Sequence, residues 1–224
     1  VSRRKFRRNF RGRGSCPKRV MWPNVLNTKL KYTDVDTPAL SIPSGDTRRS
    51  QYYVINGAYD VNPSLSSSTM PGFAEYAAMY HKYRVNAVKI KMEAVPAATS
   101  GGVRLPVILG MHLDSGSVTL ANWMETMQLL NSNSDSVSRI ATPYQKTRLS
   151  MYRKLGKLFG NSLQYKADDN FDAATTSNPD STMRGYVFAL TADGDTAPAA
   201  IPVYVRITVT MYIRFSDKKQ IFGS

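Results

Sequence analysis

The sequence predicts an all-β protein: a single eight-stranded antiparallel jelly-roll sandwich with a basic N-terminal arm and short helices in its loops. Three observations predict it. Residues 203–215, VYVRITVTMYIRF, place Val203, Val205, Ile207, Val209, Met211, Ile213 and Phe215 at odd positions and Tyr204, Arg206, Thr208, Thr210, Tyr212 and Arg214 at even ones. Strand side chains alternate between two faces, so this is one long strand with a buried face and a wet face. About seven shorter β-like segments precede it, separated by Pro, Gly and Ser turn signals, with no repeat and no alternation of strands with long helices. Finally, the first 19 residues hold nine cations and no acid, a composition that buries little surface.

At roughly 3.3 Å per residue the closing stretch would extend about 40 Å and needs partner strands. Residues 26–35 supply a short one, with Thr28, Leu30 and Tyr32 alternating against Lys29, Lys31 and Thr33, before Pro38, Pro43 and Ser44-Gly45 break the pattern. Residues 51–61 predict a second strand, ending at Asn62-Pro63 and a serine-rich loop. The period then changes: Phe73, Tyr76, Ala77 and Tyr80 fall three and four apart, which predicts a short helix over 72–80. It runs into a strand at 85–95, where Val88, Ile90, Met92 and Ala94 alternate with Lys89, Lys91 and Glu93.

Residues 107–113, VILGMHL, are nearly all apolar and predict a strand covered on both sides or lying in an interface. A second helix is predicted over 120–130, with Trp123, Met124, Met127 and Leu130 on one face; a methionine-rich face of this kind fits core filling better than a binding groove. Residues 131–138 predict a polar loop, 147–155 a strand, 160–179 an exposed acidic loop, and 184–191 a strand followed by the Asp193-Gly194-Asp195 turn.

The chain has 224 residues and 42% hydrophobic content, enough for one large β domain with a core. Of the net +14, nine charges lie in residues 1–19, leaving +5 on the other 205. They are Arg3, Arg4, Lys5, Arg7, Arg8, Arg11, Arg13, Lys18 and Arg19, with Phe6 and Phe10 interleaved. Arginines fork onto phosphates and aromatic rings stack on bases, so residues 1–22 are expected to bind nucleic acid. The simpler reading is a solubilising or nuclear-import tail, and the two are compatible. No apolar run approaches the roughly 20 residues that span a bilayer, so no membrane insertion is expected. The lone Cys16 cannot form an internal disulfide.

Signs of catalysis are absent. His81 and His112 have no cysteine, histidine or carboxylate at metal-ligand spacing, and no phosphate-binding glycine loop or nucleophile elbow is present. Asp168, Asp169 and Asp172 could gather a hard cation, but solvated turn residues explain them better. No enzyme, no cofactor and no metal site is expected.

The basic arm, then residues 73–96 (FAEYAAMYHKYRVNAVKIKMEAVP), then the closing strand together resemble the capsid proteins of circovirus-like, circular Rep-encoding single-stranded DNA (CRESS-DNA) viruses. The specific matches are Tyr83-Arg84-Val85 leading into a strand with Lys89 and Lys91, and the VTMYI core at 209–213; they cover about a fifth of the chain. The resemblance implies a jelly roll with sheets BIDG and CHEF, residues 23–224 as the shell domain, and sixty copies in a T=1 icosahedral shell. It implies strands B at 26–35, C at 51–61, D at 85–95, E at 107–113, F at 147–155, H at 184–191 and I at 203–215, with G unplaced.

If B, D and I share a sheet, their polar faces bring together Lys29, Lys31, Lys89, Lys91, Arg206 and Arg214, with Glu93 as counter-charge. That face is expected to look toward the genome and extend the arm's basic surface. The implied partners are further copies of the chain, circular single-stranded DNA, host nuclear import machinery and a cell-surface receptor, with the virion and the host nucleus as locations. The loops at 65–71, 115–120 and 167–179 are the expected sites of subunit contact or receptor binding. The competing class is a cellular nucleic-acid-binding β-domain protein that forms no shell. A jelly-roll hydrolase or lectin would need a convergent carboxylate or histidine pocket.

Overall fold

The computed structural model describes residues 23–35, 40–65, 68–99, 102–118, 120 and 122–220. In chain order these form β1 (Leu26–Asp34), β2 (Arg48–Val54), α1 (Phe73–Ala77), β3 (Tyr80–Pro96), β4 (Val107–Asp114), α2 (Trp123–Ser132), β5 (Ser136–Ala141) and β6 (Thr147–Lys154). There follow α3 (Leu155–Leu158), α4 (Ser162–Ala167), the two-residue β7 (Ala173–Ala174), β8 (Arg184–Thr191) and β9 (Val203–Lys218). One sheet has the order β1-β9-β3-β6, with β7 added to β3, and the other the order β2-β8-β4-β5; every pairing is antiparallel. Lettering the eight long strands along the chain turns these orders into B-I-D-G and C-H-E-F, the jelly roll that was expected.

The expected closing strand is an inner strand of its sheet, between β1 and β3. Its odd positions from Val203 to Phe215 are all buried, and they meet Leu30, Val88, Ile90 and Met92 from the same sheet and Leu109, Met111 and Val187 from the other. Each such large side chain contributes roughly 1.5–3 kcal/mol by leaving water. Phe215 is boxed by the rings of Tyr76, Phe73, Tyr80 and Tyr83 at 5.1, 5.8, 5.9 and 6.2 Å, which explains the aromatic run at the start of β3. In β3 the register slips between Val85 and Ala87, leaving Asn86 as a bulge. One extra residue lets Tyr83 and Val85 on one side, and Val88 and Ile90 on the other, all face the core.

Several expectations need correction. Residues 147–154 are not F: they pair with β3 in the first sheet and are G. F is β5, inside the stretch partly read as loop; an edge strand of sequence SVSRIA, with only Ala141 buried, carries no alternation to read. The second strand starts at Arg48 and stops at Val54, seven residues short of the expected end. The first helix is only Phe73–Ala77, because Tyr80 already pairs with Lys218 of β9. Residues 160–179, expected as an exposed acidic loop, hold α4 and the buried rings of Tyr165 and Phe171, with α3 just before them.

The expected cover over β4 is α2. Leu130, Trp123 and Met127 roof Ile108, Tyr186, Phe188 and Leu190 on the outer face of the second sheet, whereas Met124 stays 64% exposed and is not core filler. The helix sits so close that a Cβ on Gly110 would lie 2.5 Å from Leu130 Cδ1. Asn122 caps it by accepting from the Glu125 amide at 2.9 Å, and the Trp123 indole donates to the Thr191 carbonyl at 2.9 Å.

Arg84 folds the 155–172 loop onto the first sheet. Its Nε donates to Asp172 at 2.6 Å, while its terminal nitrogens donate to the carbonyls of Tyr165 at 2.8 Å and Asp168 at 3.0 Å. Asp168 in turn caps the following turn by accepting from the Asn170 amide, so these carboxylates are occupied structurally, and no metal-binding cluster is present among the described residues. Truncation to Met at position 84 removes all three contacts and leaves Asp172 unpaired. Arg84→Met should therefore cost about 2–3 kcal/mol, read as a lowered urea midpoint with the secondary structure retained.

His112 is 2% exposed beneath the roof, its Nδ1 3.0 Å from Ser136 Oγ and its ring stacked on Tyr186. Burial holds its pKa below the ordinary 6.5, although Asp114 and Asp135 pull the other way. The unfolded chain therefore binds the proton more readily than the folded one. Stability should be full above about pH 6.5 and decline as pH falls below it. His112→Gln should flatten that decline, as measured by urea midpoints at pH 7.5 and pH 5.5.

Candidate nucleic-acid interface

Residues directly opposite in an antiparallel ladder share a face, so the register alone assembles the outer surface of the first sheet. Crossing from β1 to β6, one row reads Lys31, Thr210, Lys89, Tyr152 and the next Thr33, Thr208, Lys91, Ser150. Toward one end come Lys29, Tyr212, Ala87, Lys154, and then Asn27, Arg214, Arg84; toward the other, Arg206, Glu93, Arg148. The six body cations expected on one face, Lys29, Lys31, Lys89, Lys91, Arg206 and Arg214, are thus together on it. Among the described residues, helical cover on this face is confined to the end where the α3–α4 loop lies over Arg84; Lys29, Lys31, Lys91, Arg206 and Arg214 are exposed, with Lys89 half-buried. Thr210, flanked by Lys31 and Lys89, is only 8% exposed, as expected when lysine stems lie along the sheet.

None of the six makes a salt bridge among the described residues. Lys29 and Lys31, and likewise Lys89 and Lys91, stand two residues apart on one strand, about 7 Å and inside the ~8 Å screening length of physiological salt, while β9 keeps the two pairs about 10 Å apart. Their mutual repulsion favours an anionic partner that touches several at once. The one carboxylate in their midst is engaged: Glu93 accepts from Lys146 at 2.9 Å and Arg148 at 3.0 Å. The hydrogen bond from Lys146, helped by Arg148 and Arg206, holds the Glu93 carboxyl below its ordinary value.

Sequence reasoning missed Arg148 and Lys154, because their strand had been placed in the other sheet. The alternation of Arg148, Ser150, Tyr152 and Lys154 against Leu149, Met151 and Arg153 was the available signal. Also missed were Lys157 and Lys166, which α3 and α4 bring to the end of the face. With Lys154, Arg214, Tyr152 and Tyr212 they line an open cleft of about 810 Å³. Its mouth adjoins the start of the described chain: Val25 lines it, and the nearby Pro23 carbonyl accepts from the Tyr80 hydroxyl at 2.8 Å. The arm residues expected to bind nucleic acid, Arg3, Arg4, Lys5, Phe6, Arg7, Arg8, Phe10, Arg11, Arg13, Lys18 and Arg19, lie outside the described residues, as does Cys16.

No protein-family model matches the chain, and no curated protein matches its sequence. Among solved structures, the chain is similar to that of the Mud crab tombus-like virus, with 12% identity and a TM-score of 0.48 over 90% of this chain and 94% of that one. It is also similar to a structure of Desmodium yellow mottle tymovirus, with 13% identity and a TM-score of 0.45 over 100% of this chain and 97% of that one. A third is the 60-mer BFDV capsid protein, with 14% identity and a TM-score of 0.43 over 89% of this chain and 97% of that one. At these TM-scores the likenesses carry no inference about function.

Proposed function

We propose that this chain is a viral capsid protein that assembles into a shell and packages single-stranded nucleic acid through its arm and the open cationic sheet face. The observation that carries the reading is the inequality of the two outer faces. One is apolar and roofed by α2; the other gathers six cations with no salt bridge among the described residues. A slab with one cationic side and a cationic leader suits the inner wall of a container for a polyanion. The resemblance of residues 73–96 and 203–215 to circovirus-like capsid proteins favours a T=1 shell of sixty copies around circular single-stranded DNA. The same resemblance gives residues 3–8 a second role in nuclear import and the host nucleus as the place of assembly, and the loops at 65–71, 115–120 and 167–179 are the candidates for subunit or receptor contacts.

The direct test is sedimentation and electron microscopy of the purified full chain. A closed megadalton particle supports the reading; a monomer or dimer that still binds nucleic acid favours a cellular binding module instead. Binding to single-stranded DNA should be nearly blind to sequence and should weaken steeply as salt rises. Removing residues 1–22 should reduce the slope of log affinity against log salt by up to about 6, and Lys89→Ala with Lys91→Ala by about 1.4.

Glu93 opposes the same partner. Glu93→Gln should release Lys146 and Arg148, raise affinity for single-stranded DNA and steepen the salt slope by up to about 1.4, measured by fluorescence anisotropy across a salt series. An unchanged or weakened affinity would place the polyanion elsewhere on the molecule.

A further inference from the structure

We propose that the cleft at the end of the cationic face is a nucleotide site, which takes one unpaired base of a single strand against Tyr152 and Tyr212 and its phosphate against Lys154, Lys157 and Arg214. The inference rests on the nucleic-acid reading above and adds to it a fixed place where the base, and not only the backbone, is held.

The cleft differs in kind from the rest of the face. Apart from Tyr204 at the far end, the other rows present lysine, arginine, threonine, serine and Glu93, and nowhere else on the face do two rings meet beside cations. Here Tyr152 and Tyr212 meet edge to face across the sheet, ring centroids 5.8 Å apart at 89°. They meet diagonally across β3, where Tyr212 stands opposite Ala87 and Tyr152 opposite Lys89, and the small Ala87 leaves room for the rings. A larger side chain there would separate them. Tyr152 keeps 45% of its surface exposed, so the pair still offers a ring to a ligand. Exposed aromatic rings beside cations are the usual means of holding unpaired bases, and stacking on them tolerates any base. The adjacent bulge residue Asn86, together with Asn27, adds amide groups able to hydrogen-bond a base edge.

Charge favours the same ligand. Lys154, Lys157, Lys166 and Arg214 line the cleft without a salt bridge among the described residues; of its two carboxylates Asp172 is bound to Arg84, and Asp169 leaves the cations in excess. The cleft's volume of about 810 Å³ lies within the range of small-molecule sites and exceeds what a phosphate alone would need. The pairing Arg84 makes with Asp172 and with the carbonyls of Tyr165 and Asp168 holds the outer wall in place. A duplex has no unpaired base to give, so the site selects single strands.

The test uses the full chain and two labelled probes of equal length, an oligothymidylate and the same backbone with abasic sugars, in moderate salt. The wild type should bind the base-bearing strand at least about fivefold more tightly. Tyr152→Ala with Tyr212→Ala should erase that preference while leaving affinity for the abasic strand unchanged, and Tyr152→Phe should keep it. Lys154→Ala with Lys157→Ala should weaken both probes. Quenching of a 2-aminopurine placed in the strand gives a second readout that needs no variant: stacking in the site should quench it on binding to the wild type, and Tyr152→Ala should relieve the quench. A wild type that binds both probes equally overturns the site and leaves the packaging reading standing. So does a preference that survives loss of both tyrosines, which would assign it to the arm's Phe6 and Phe10. Failure to bind either probe overturns both.

Discussion

The pairing of β9 with β1 on one side and β3 on the other is the constraint from which the rest of the molecule follows. Because side chains alternate, fixing the odd positions of β9 in the core fixes its even positions on the opposite surface. The ladders then carry that choice outward, so Lys29 and Lys31 on β1, and Lys89 and Lys91 on β3, must face the same way as Arg206 and Arg214. A slip of one residue in any of these pairings would expose Val209 and Met211 to water and drive lysines into the core. The hydrophobic energy of one face thereby enforces the electrostatic character of the other. The six cations need no dedicated interactions of their own to be held there, which is consistent with none of them making a salt bridge among the described residues.

The two outer faces illustrate different solutions to the same problem of an exposed sheet. On β4 and β8 the outward residues Ile108, Tyr186, Phe188 and Leu190 are apolar, and a helix is laid over them with a glycine beneath its last turn to permit close approach. On the first sheet the outward residues are mostly polar, and cover is confined to the end where the α3–α4 loop lies over Arg84. The difference also explains why His112 and Arg84 are both buried yet behave differently. His112 lies under an apolar roof where charge is unwelcome, while Arg84 lies under a loop that supplies a carboxylate and two carbonyls to receive its charge.

How much of this was legible follows from how much each element depends on its own sequence. The strands at 184–191 and 203–215 were placed correctly because both carry long β-forming runs, and the grouping of the six cations followed once B, D and I were assigned to one sheet. Edge strand β5 was missed since SVSRIA is defined by its partner Val107–His112 and not by an alternation of its own. That omission displaced the F label onto residues 147–155 and hid Arg148, Tyr152 and Lys154 from the basic face. The short helices α3 and α4 were invisible for a different reason. At four and six residues they carry too little periodicity to read, and they persist through the Arg84 contacts and the packing of Phe159, Tyr165 and Phe171.

The bulge at Asn86 divides β3 into two halves whose inward residues run on opposite parity: Tyr83 and Val85 are odd, Val88 and Ile90 even. Chain length between Val85 and Val88 is thus a discrete variable. Dropping one residue would turn the Tyr80–Val85 half over and pull its aromatic rings away from Phe215. The segment admits variation in residue type far more readily than in residue number.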